Sequence, residues 1–388
     1  MKIQSIRAFP IRSDLTGGPP VSQPTRPSWT QEAEVANPMS KYPRFKRFRS
    51  SWRPTWPSVG CLVTAENGEW GLGMTRYGSP VIALINEHLG PLLESEPCMA
   101  TERLWDMMQA LTSPYAGGLS CYAISAIDLA LWDLKGKLLG EPVWRLIGGP
   151  SRDSILCYAT GNDTDWYLEQ GFRATKLACP YGPADGSRGL DLNEALVSER
   201  RNLVGRDVDL MLDCWMAFDV DFAVRMAERL APYRLGWIED CLMPEDLDGL
   251  QSLRTRLPGQ TLAGGEHWYT LPPFAHAGRR RLLDILQPDI GWACGLTGCM
   301  KIAQLAQGFG QSVMLHAGVN TPYGQHFSLA VPNCPMGEYF VGSAPGIPFE
   351  EVRLTPGMQV PVSGRVHPGD EPGFGLGLTL ESLETLKV

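Results

Sequence analysis

Apolar and polar residues alternate along positions 2–11 in a period of two, which predicts a first β-strand. Residues 12–58 carry no period and are rich in Pro, Gly, Ser and Trp. A connection this long inside a compact domain is as a rule functional or disordered. Trp29, Phe45, Phe48, Trp52 and Trp56 favour packing over disorder. GCLVTAENGEWGLGMT then reads as two strands joined at the Asn67-Gly68 turn signal. Helical spacing follows over about 80–94 and 101–112. It is strongest over 120–140, where Ile124, Ile127, Leu131 and Leu134 fall on one face. From residue 153 the pattern changes again. Eight short apolar runs (SILCYATG, ATKLAC, DLMLDC, LGWIED, TLAGGE, ILQPD, SVMLH and GEYFV) alternate with helical stretches such as DFAVRMAERLAPY and CMKIAQLAQGFG. That alternation predicts an α/β protein with a closed parallel barrel in preference to an open doubly wound sheet. No GxGxxG opens a helix after the first strand, so a dinucleotide fold finds no support. The tail from 356 is rich in Gly and Pro and is expected to return to the N-terminal part.

Five of the eight runs carry an acid or an imidazole at their last or next-to-last position: Asp213, Glu239, Glu266, Asp289 and His316, at intervals of 23 to 27 residues. A strand, a helix and two short loops need about 25–30 residues. These side chains are therefore expected at five consecutive strand ends, on the rim where such barrels carry their chemistry. Any one acid alone reads equally well as a helix N-cap or a solvated loop charge. Three acids converging on one rim repel unless a cation joins them, and an all-oxygen set suits Mg²⁺ better than zinc. Asp289 beside His316 would fix the tautomer of the imidazole and raise its basicity, as a general base requires. A buried structural histidine with a carboxylate partner is the plainer alternative.

Composition narrows the class. The chain has 388 residues, 44% hydrophobic and 20% charged, enough for a large core and two or three domains. A net charge of −8 argues against a dedicated nucleic-acid binder. The ten cysteines form no CxxC pair, and several lie in apolar runs, so they are expected to be reduced, in the cytoplasm. No run approaches the ~20 apolar residues of a spanning helix, so no membrane partner is expected.

Several segments are similar to a known family: NPMSKY, ENGEWG, ISAIDLALWDLKGK, MLDCWM, WIEDCL, GEHW, LQPDIGW followed by GLT, and the closing PGFG. The chain resembles, over nearly its whole length, the mandelate-racemase-like group of the enolase superfamily, and its acid-sugar dehydratases most. The resemblance implies a modified TIM barrel, (β/α)7β, with an N-terminal α+β capping domain completed by the C-terminal tail. The expected division is 1–120 for the cap with its substrate-facing loop 12–58, 121–355 for the barrel and 356–388 for the tail. The resemblance places Mg²⁺ on Asp213, Glu239 and Glu266, and the base dyad on His316 and Asp289. It gives Glu338, on the last strand, to stabilisation of the enolate or substrate, and Arg49 to holding the acid sugar. Lys176 falls where the second-strand lysine motif begins and is expected, with Arg49, to lend positive charge to binding the substrate.

Two departures stand out. Relatives that carry Lys-x-Lys on the second strand use the second lysine as a base; here that place is Ala178. Gln23 stands where acid-sugar relatives have a substrate-binding histidine; it can hydrogen-bond but cannot become cationic. The implied activity is Mg²⁺-dependent dehydration of a sugar acid: loss of the C2 proton of an aldonate, then of the C3 hydroxyl, to a 2-keto-3-deoxy acid. The alternatives are a racemase, epimerase or other isomerase on the same scaffold, or a non-catalytic ligand-binding barrel. A homo-oligomer is expected. His267 is expected to point away from Glu266 by strand alternation, as a site wall, and His326 follows the base strand within reach of substrate.

Overall fold

The computed structural model describes residues 1–12, 20–32, 34–45, 54–352 and 355–388. Strands β1 (Ile3–Ile11), β2 (Ser58–Ala65) and β3 (Trp70–Thr75) form an antiparallel sheet in that order. The tight turn between β2 and β3 contains Asn67 and Gly68, the latter at φ 85°. Helix Leu119–Leu139 lies across β3 so closely that two glycines are required there. A Cβ on Gly71 would come 2.1 Å from the Ala130 carbonyl oxygen, and one on Gly73 would come 1.9 Å from that of Ala126.

The eight barrel strands are those the apolar runs predict. They are β4 (Ile155–Thr160), β5 (Ala174–Ala178), β6 (Asp209–Asp213), β7 (Ile238–Glu239), β8 (Leu262–Gly264), β9 (Ile285–Leu286), β10 (Ser312–Val313) and β11 (Gly337–Phe340). All pair in parallel in the order β10-β9-β8-β7-β6-β5-β4-β11, so the last strand returns beside the first. The sheet curls until its ends meet at the rim, where the Ala317 N–H donates to Glu338 Oε2 at 2.7 Å. A helix follows each strand from β4 to β10, and none of the described α-helices directly follows β11, which gives the (β/α)7β pattern. Tyr158, Met211, Trp237, Ile285 and Met314 fill the barrel interior.

Helix Leu119–Leu139 explains the ISAIDLALWDLKGK segment. Asp128 accepts from the N–H and Oγ1 of Thr297 in the barrel, at 2.9 and 2.6 Å. Asp133 accepts from Leu72 N in the cap at 3.0 Å and from Phe374 N in the tail at 2.9 Å. Both carboxylates are buried, where each is retained because it is hydrogen-bonded. They staple three parts of the chain and take no part in the rim. Residues 119–139 pack on β3 of the cap and also against the barrel, so this helix lies at the junction of the two. The tail does return: the short strand β12 (Arg365–Val366) pairs antiparallel with β4, and Ile11 bridges Lys387. No described helix is long and apolar enough to cross a membrane, and all ten cysteines are buried and unpaired.

Candidate active site

A cleft of about 630 Å³ opens between the cap and the C-terminal ends of the barrel strands. Asp213, Glu266, Asp289, His316 and Glu338 line its floor, with Ala178 beside them. Asp213 and Ala178 end their strands, Glu266, Asp289 and His316 follow theirs by two or three residues, and Glu338 lies within β11. Ala178 is in register with Asp213, and Asp213 with Glu239, so the ladder read from spacing is a true rim.

The dyad forms as expected. His316 Nδ1 lies 2.7 Å from Asp289 Oδ2, whose Oδ1 accepts from Gly291 N at 2.7 Å. An Asp289 carboxylate can only accept, which keeps a proton on Nδ1 and makes Nε2 the nitrogen that gains or gives up its proton. Nε2 lies 3.3 Å from Glu266 Oε2. Burial pulls the imidazole pKa down, but Glu266, the Asp289 hydrogen bond and the charges of Asp289 and Glu338 outweigh it, and the pKa rises to about 10.

Lys176 is buried beneath the ring. Its ammonium pairs with Glu239, with Glu338 Oε1 at 2.8 Å and with Asp213 Oδ2 at 3.6 Å. Burial alone would lower its pKa; the three acids hold it well above the usual lysine range. Lys176 does not line the cleft, so it acts as a counter-charge under the acids. Glu239 is enclosed as well: its Oε2 accepts from Trp237 Nε1 at 2.8 Å and Gln287 Nε2 at 2.7 Å. Burial, against the pull of Lys176, pushes its carboxyl up to about 8. These bonds account for the Trp of WIEDCL and the Gln of LQPDIGW. Trp215 of MLDCWM binds Asp213 Oδ1 through its backbone N–H at 2.9 Å and Glu266 Oε1 through its indole at 3.1 Å. Glu338 Oε1 also accepts from Thr160 Oγ1 at 2.5 Å; burial raises its pKa, Lys176 and His316 lower it, and the net is downward.

The donor set of Asp213, Glu239 and Glu266 is all oxygen, on adjacent strands, and crowds negative charge that a divalent cation would offset; in that respect it fits Mg²⁺. The structure does not gather these three most tightly. Among the described residues, the group whose possible ligand atoms all lie within 4.8 Å is Asp240, Glu266 and His267. His267 Nδ1 is 3.3 Å from Glu266 Oε1 and 3.5 Å from Asp240 Oδ2, contrary to the expectation that it points away. The reason is local: β8 ends at Gly264 and Gly265 takes φ 106°, so strand alternation no longer governs residues 265–267. His267 borders a small neighbouring cavity and does not line the cleft.

The other expected contacts fare unevenly. His326 is not within reach of substrate. It is buried in helix Pro322–Ala330, where its Nδ1 accepts from Trp144 N at 3.2 Å, and burial lowers its pKa to about 3. Gln23 is exposed and does not line the cleft. Its neighbours fix the segment elsewhere: Ser22 on Glu351, and Thr25 N on the Pro345 carbonyl at 2.8 Å. Arg49 lies outside the described residues. Sequence reasoning missed Arg12, Trp29, Arg76, Trp215 and Trp292, which line the cleft. Trp29 is held there by Asp163, which accepts from its backbone N–H at 3.0 Å, and by Arg26, paired with Asp165 through two contacts of 2.6 Å. Only Trp215 and Trp292, next to MLD and PDIG, carried a signal that could have been used.

Fold and rim together define a class: a capped (β/α)7β barrel with one His–Asp pair set in a ring of carboxylates. Two family models match the chain, "Mandelate racemase / muconate lactonizing enzyme, N-terminal domain" over residues 57–148 and "Enolase C-terminal domain-like" over residues 163–382. The chain belongs to the enolase superfamily. An L-rhamnonate dehydratase of Saccharopolyspora erythraea is 37% identical over 390 residues, covering 98% of this chain and 97% of its own. The crystal structure of rhamnonate dehydratase from Gibberella zeae complexed with Mg superposes with a TM-score of 0.91 at 32% identity, covering 100% of this chain and 96% of that one. A racemase from Streptomyces coelicolor A3(2) with bound magnesium follows at a TM-score of 0.77 and 27% identity, with both chains fully covered.

Proposed function

We propose that this chain is a Mg²⁺-dependent sugar acid dehydratase, a hydro-lyase that converts an aldonate to its 2-keto-3-deoxy acid. The observation that carries the reading is the one-sided base. His316 stands just beyond β10 with Asp289 behind it, while β5 offers Ala178 to the cleft and turns Lys176 inward onto Asp213, Glu239 and Glu338. A racemase needs proton donors and acceptors on both faces of C2; a dehydratase needs one. The full-length similarity to dehydratases supports the same choice.

Asp213, Glu239 and Glu266 would hold the cation, which supplies positive charge at the substrate carboxylate and so makes the C2 proton acidic. His316 Nε2 takes that proton, with Asp289 holding the ring and stabilising the imidazolium. The pull of Glu266 on the imidazole would be cancelled by any cation seated on it, leaving His316 easier to deprotonate. The imidazolium then delivers the proton to the departing C3 hydroxyl on the same face, water leaves, and the enol tautomerises to the ketone. Glu338, fixed by Thr160, Lys176 and the Ala317 N–H, faces the reacting carbons from the adjoining strand. Trp29, Trp215 and Trp292 wall the cleft and restrict water.

A panel of aldonates and aldarates assayed with Mg²⁺ for 2-keto acid tests this. Release of a 2-keto-3-deoxy acid is expected; its absence across the panel, or activity that survives exhaustive chelation, would overturn it. The same reading includes a homo-oligomer in the cytoplasm, checked by sedimentation and by fractionation.

A further inference from the structure

Arg76 is the one cleft-lining cation, among the described residues other than Arg12, for which neither the chemistry above nor any neighbouring acid gives a purpose. It follows β3, in the cap, and is exposed. Its guanidinium carbon lies 6.0 Å from the Trp292 ring centroid. No hydrogen bond or ion pair joins it to another described residue. Its place is nevertheless built. Thr75 Oγ1 donates to the Gly291 carbonyl at 2.6 Å, tying the end of β3 to the loop that carries Asp289. Tyr77 takes φ 64° and packs edge-on against Tyr122 at 4.9 Å, which fixes the turn on the other side. Trp292 in turn stacks on Tyr122 at 5.8 Å and meets the His316 ring at 4.7 Å. Arg76 and His316 thus lie against the same indole.

We propose that Arg76 binds the end of the sugar acid remote from its C1 carboxylate and selects substrates whose terminus bears oxygen, a carboxylate above a hydroxymethyl and both above a methyl. This rests on the dehydratase reading for the orientation of the substrate. With C2 at His316, the rest of a six-carbon chain runs along Trp292 toward the cap. The cleft floor carries Asp213, Glu266, Asp289 and Glu338, so a second anionic group on the substrate needs its own counter-charge. A guanidinium is weakly hydrated, stacks on aromatic faces and grips a carboxylate with two parallel donors. A terminal methyl would leave those donors unused. A charge-assisted hydrogen bond of this kind corresponds to about 10- to 100-fold in discrimination.

The test compares three acids of matching C2–C5 configuration that end in methyl, hydroxymethyl and carboxylate: L-rhamnonate, L-mannonate and L-mannarate. The kcat/KM values are measured with Mg²⁺ for the wild type, Arg76→Ala and Arg76→Lys. The same ligands are titrated calorimetrically, with Mg²⁺ present, into the His316→Asn protein with and without Arg76→Ala. The wild type should favour the oxygenated ends. Arg76→Ala should cut the carboxylate-to-methyl ratio at least ~10-fold in both assays, and Arg76→Lys should restore part of it. A ratio unmoved by Arg76→Ala in the calorimeter overturns the inference, whatever turnover does. No 2-keto acid from any of the three, with the Arg76-dependent binding preference intact, would count against the dehydratase and leave the assignment of Arg76 standing.

Discussion

The barrel rim and the cap face each other across one cleft, and they are built on different principles. On the rim the polar side chains sit on the barrel strands or just beyond them, and each of these is pinned by neighbours: His316 by Asp289, Glu239 by Lys176, Trp237 and Gln287, Glu338 by Thr160 and Ala317. On the cap side the cleft is met by the ends of strands and by a segment without period, through Arg12, Trp29, Arg76 and Thr30. The rim is therefore suited to fixed chemistry, and the cap to reading whatever substrate is placed over it. Substitutions on the rim should abolish turnover or stability on every substrate, while substitutions on the cap side should redistribute preference among substrates.

The largest expected effect is at the base. His316→Asn should lower kcat by about 10²–10⁴-fold on every accepted acid sugar, read by 2-keto acid formation, with the fold retained by circular dichroism. Unchanged turnover would move the base elsewhere and break the distinction between rim and cap. Beneath the rim, Lys176→Met should leave Asp213, Glu239 and Glu338 without their shared counter-charge, destabilising the protein by about 3–5 kcal/mol in urea titration. A shift under ~1 kcal/mol would show that the acids hold one another without it.

The cap has its own rigid part. Gly73→Ala should cost about 3 kcal/mol, because the added methyl meets the backbone oxygen of Ala126 and a helix backbone cannot rotate aside. Smallest is a pH effect away from the cleft. His326 is neutral in the fold, with its pKa held near 3 by burial, while the unfolded chain takes up a proton near the ordinary value of ~6.5. The unfolded state then binds more protons between those values, so stability is complete above ~6.5 and is lost as pH falls. Between pH 7 and 5 the loss is about 2 kcal/mol, measured as the urea midpoint, and His326→Gln should remove most of that slope.

What the sequence made legible follows the same division. The rim could be read because a period imposed by strand and helix lengths carries each acid to the same place. Ala178 was as informative as any acid, since the register that aligns it with Asp213 turns a missing lysine into a missing base. His267 failed because Gly265 ends the alternation one residue before it matters. His326 failed because proximity in sequence to the base strand says nothing about which side of a helix is buried. No period runs through 12–58, so the sequence could not tell an exposed Gln23 from a cleft-lining Trp29. Asp128 and Asp133, both within the ISAIDLALWDLKGK segment, join cap, barrel and tail, which no spacing in the sequence discloses.

The central claim is a single base on a single face, and solvent isotope incorporation addresses it directly. The protein is incubated in D₂O with Mg²⁺ and with both C2 epimers of an accepted acid sugar, and products are followed by proton NMR. One epimer should be consumed to 2-keto-3-deoxy acid, with no epimerised substrate at any time. Appearance of the other C2 epimer carrying deuterium, without 2-keto acid, would contradict the account and require a second base facing Ala178.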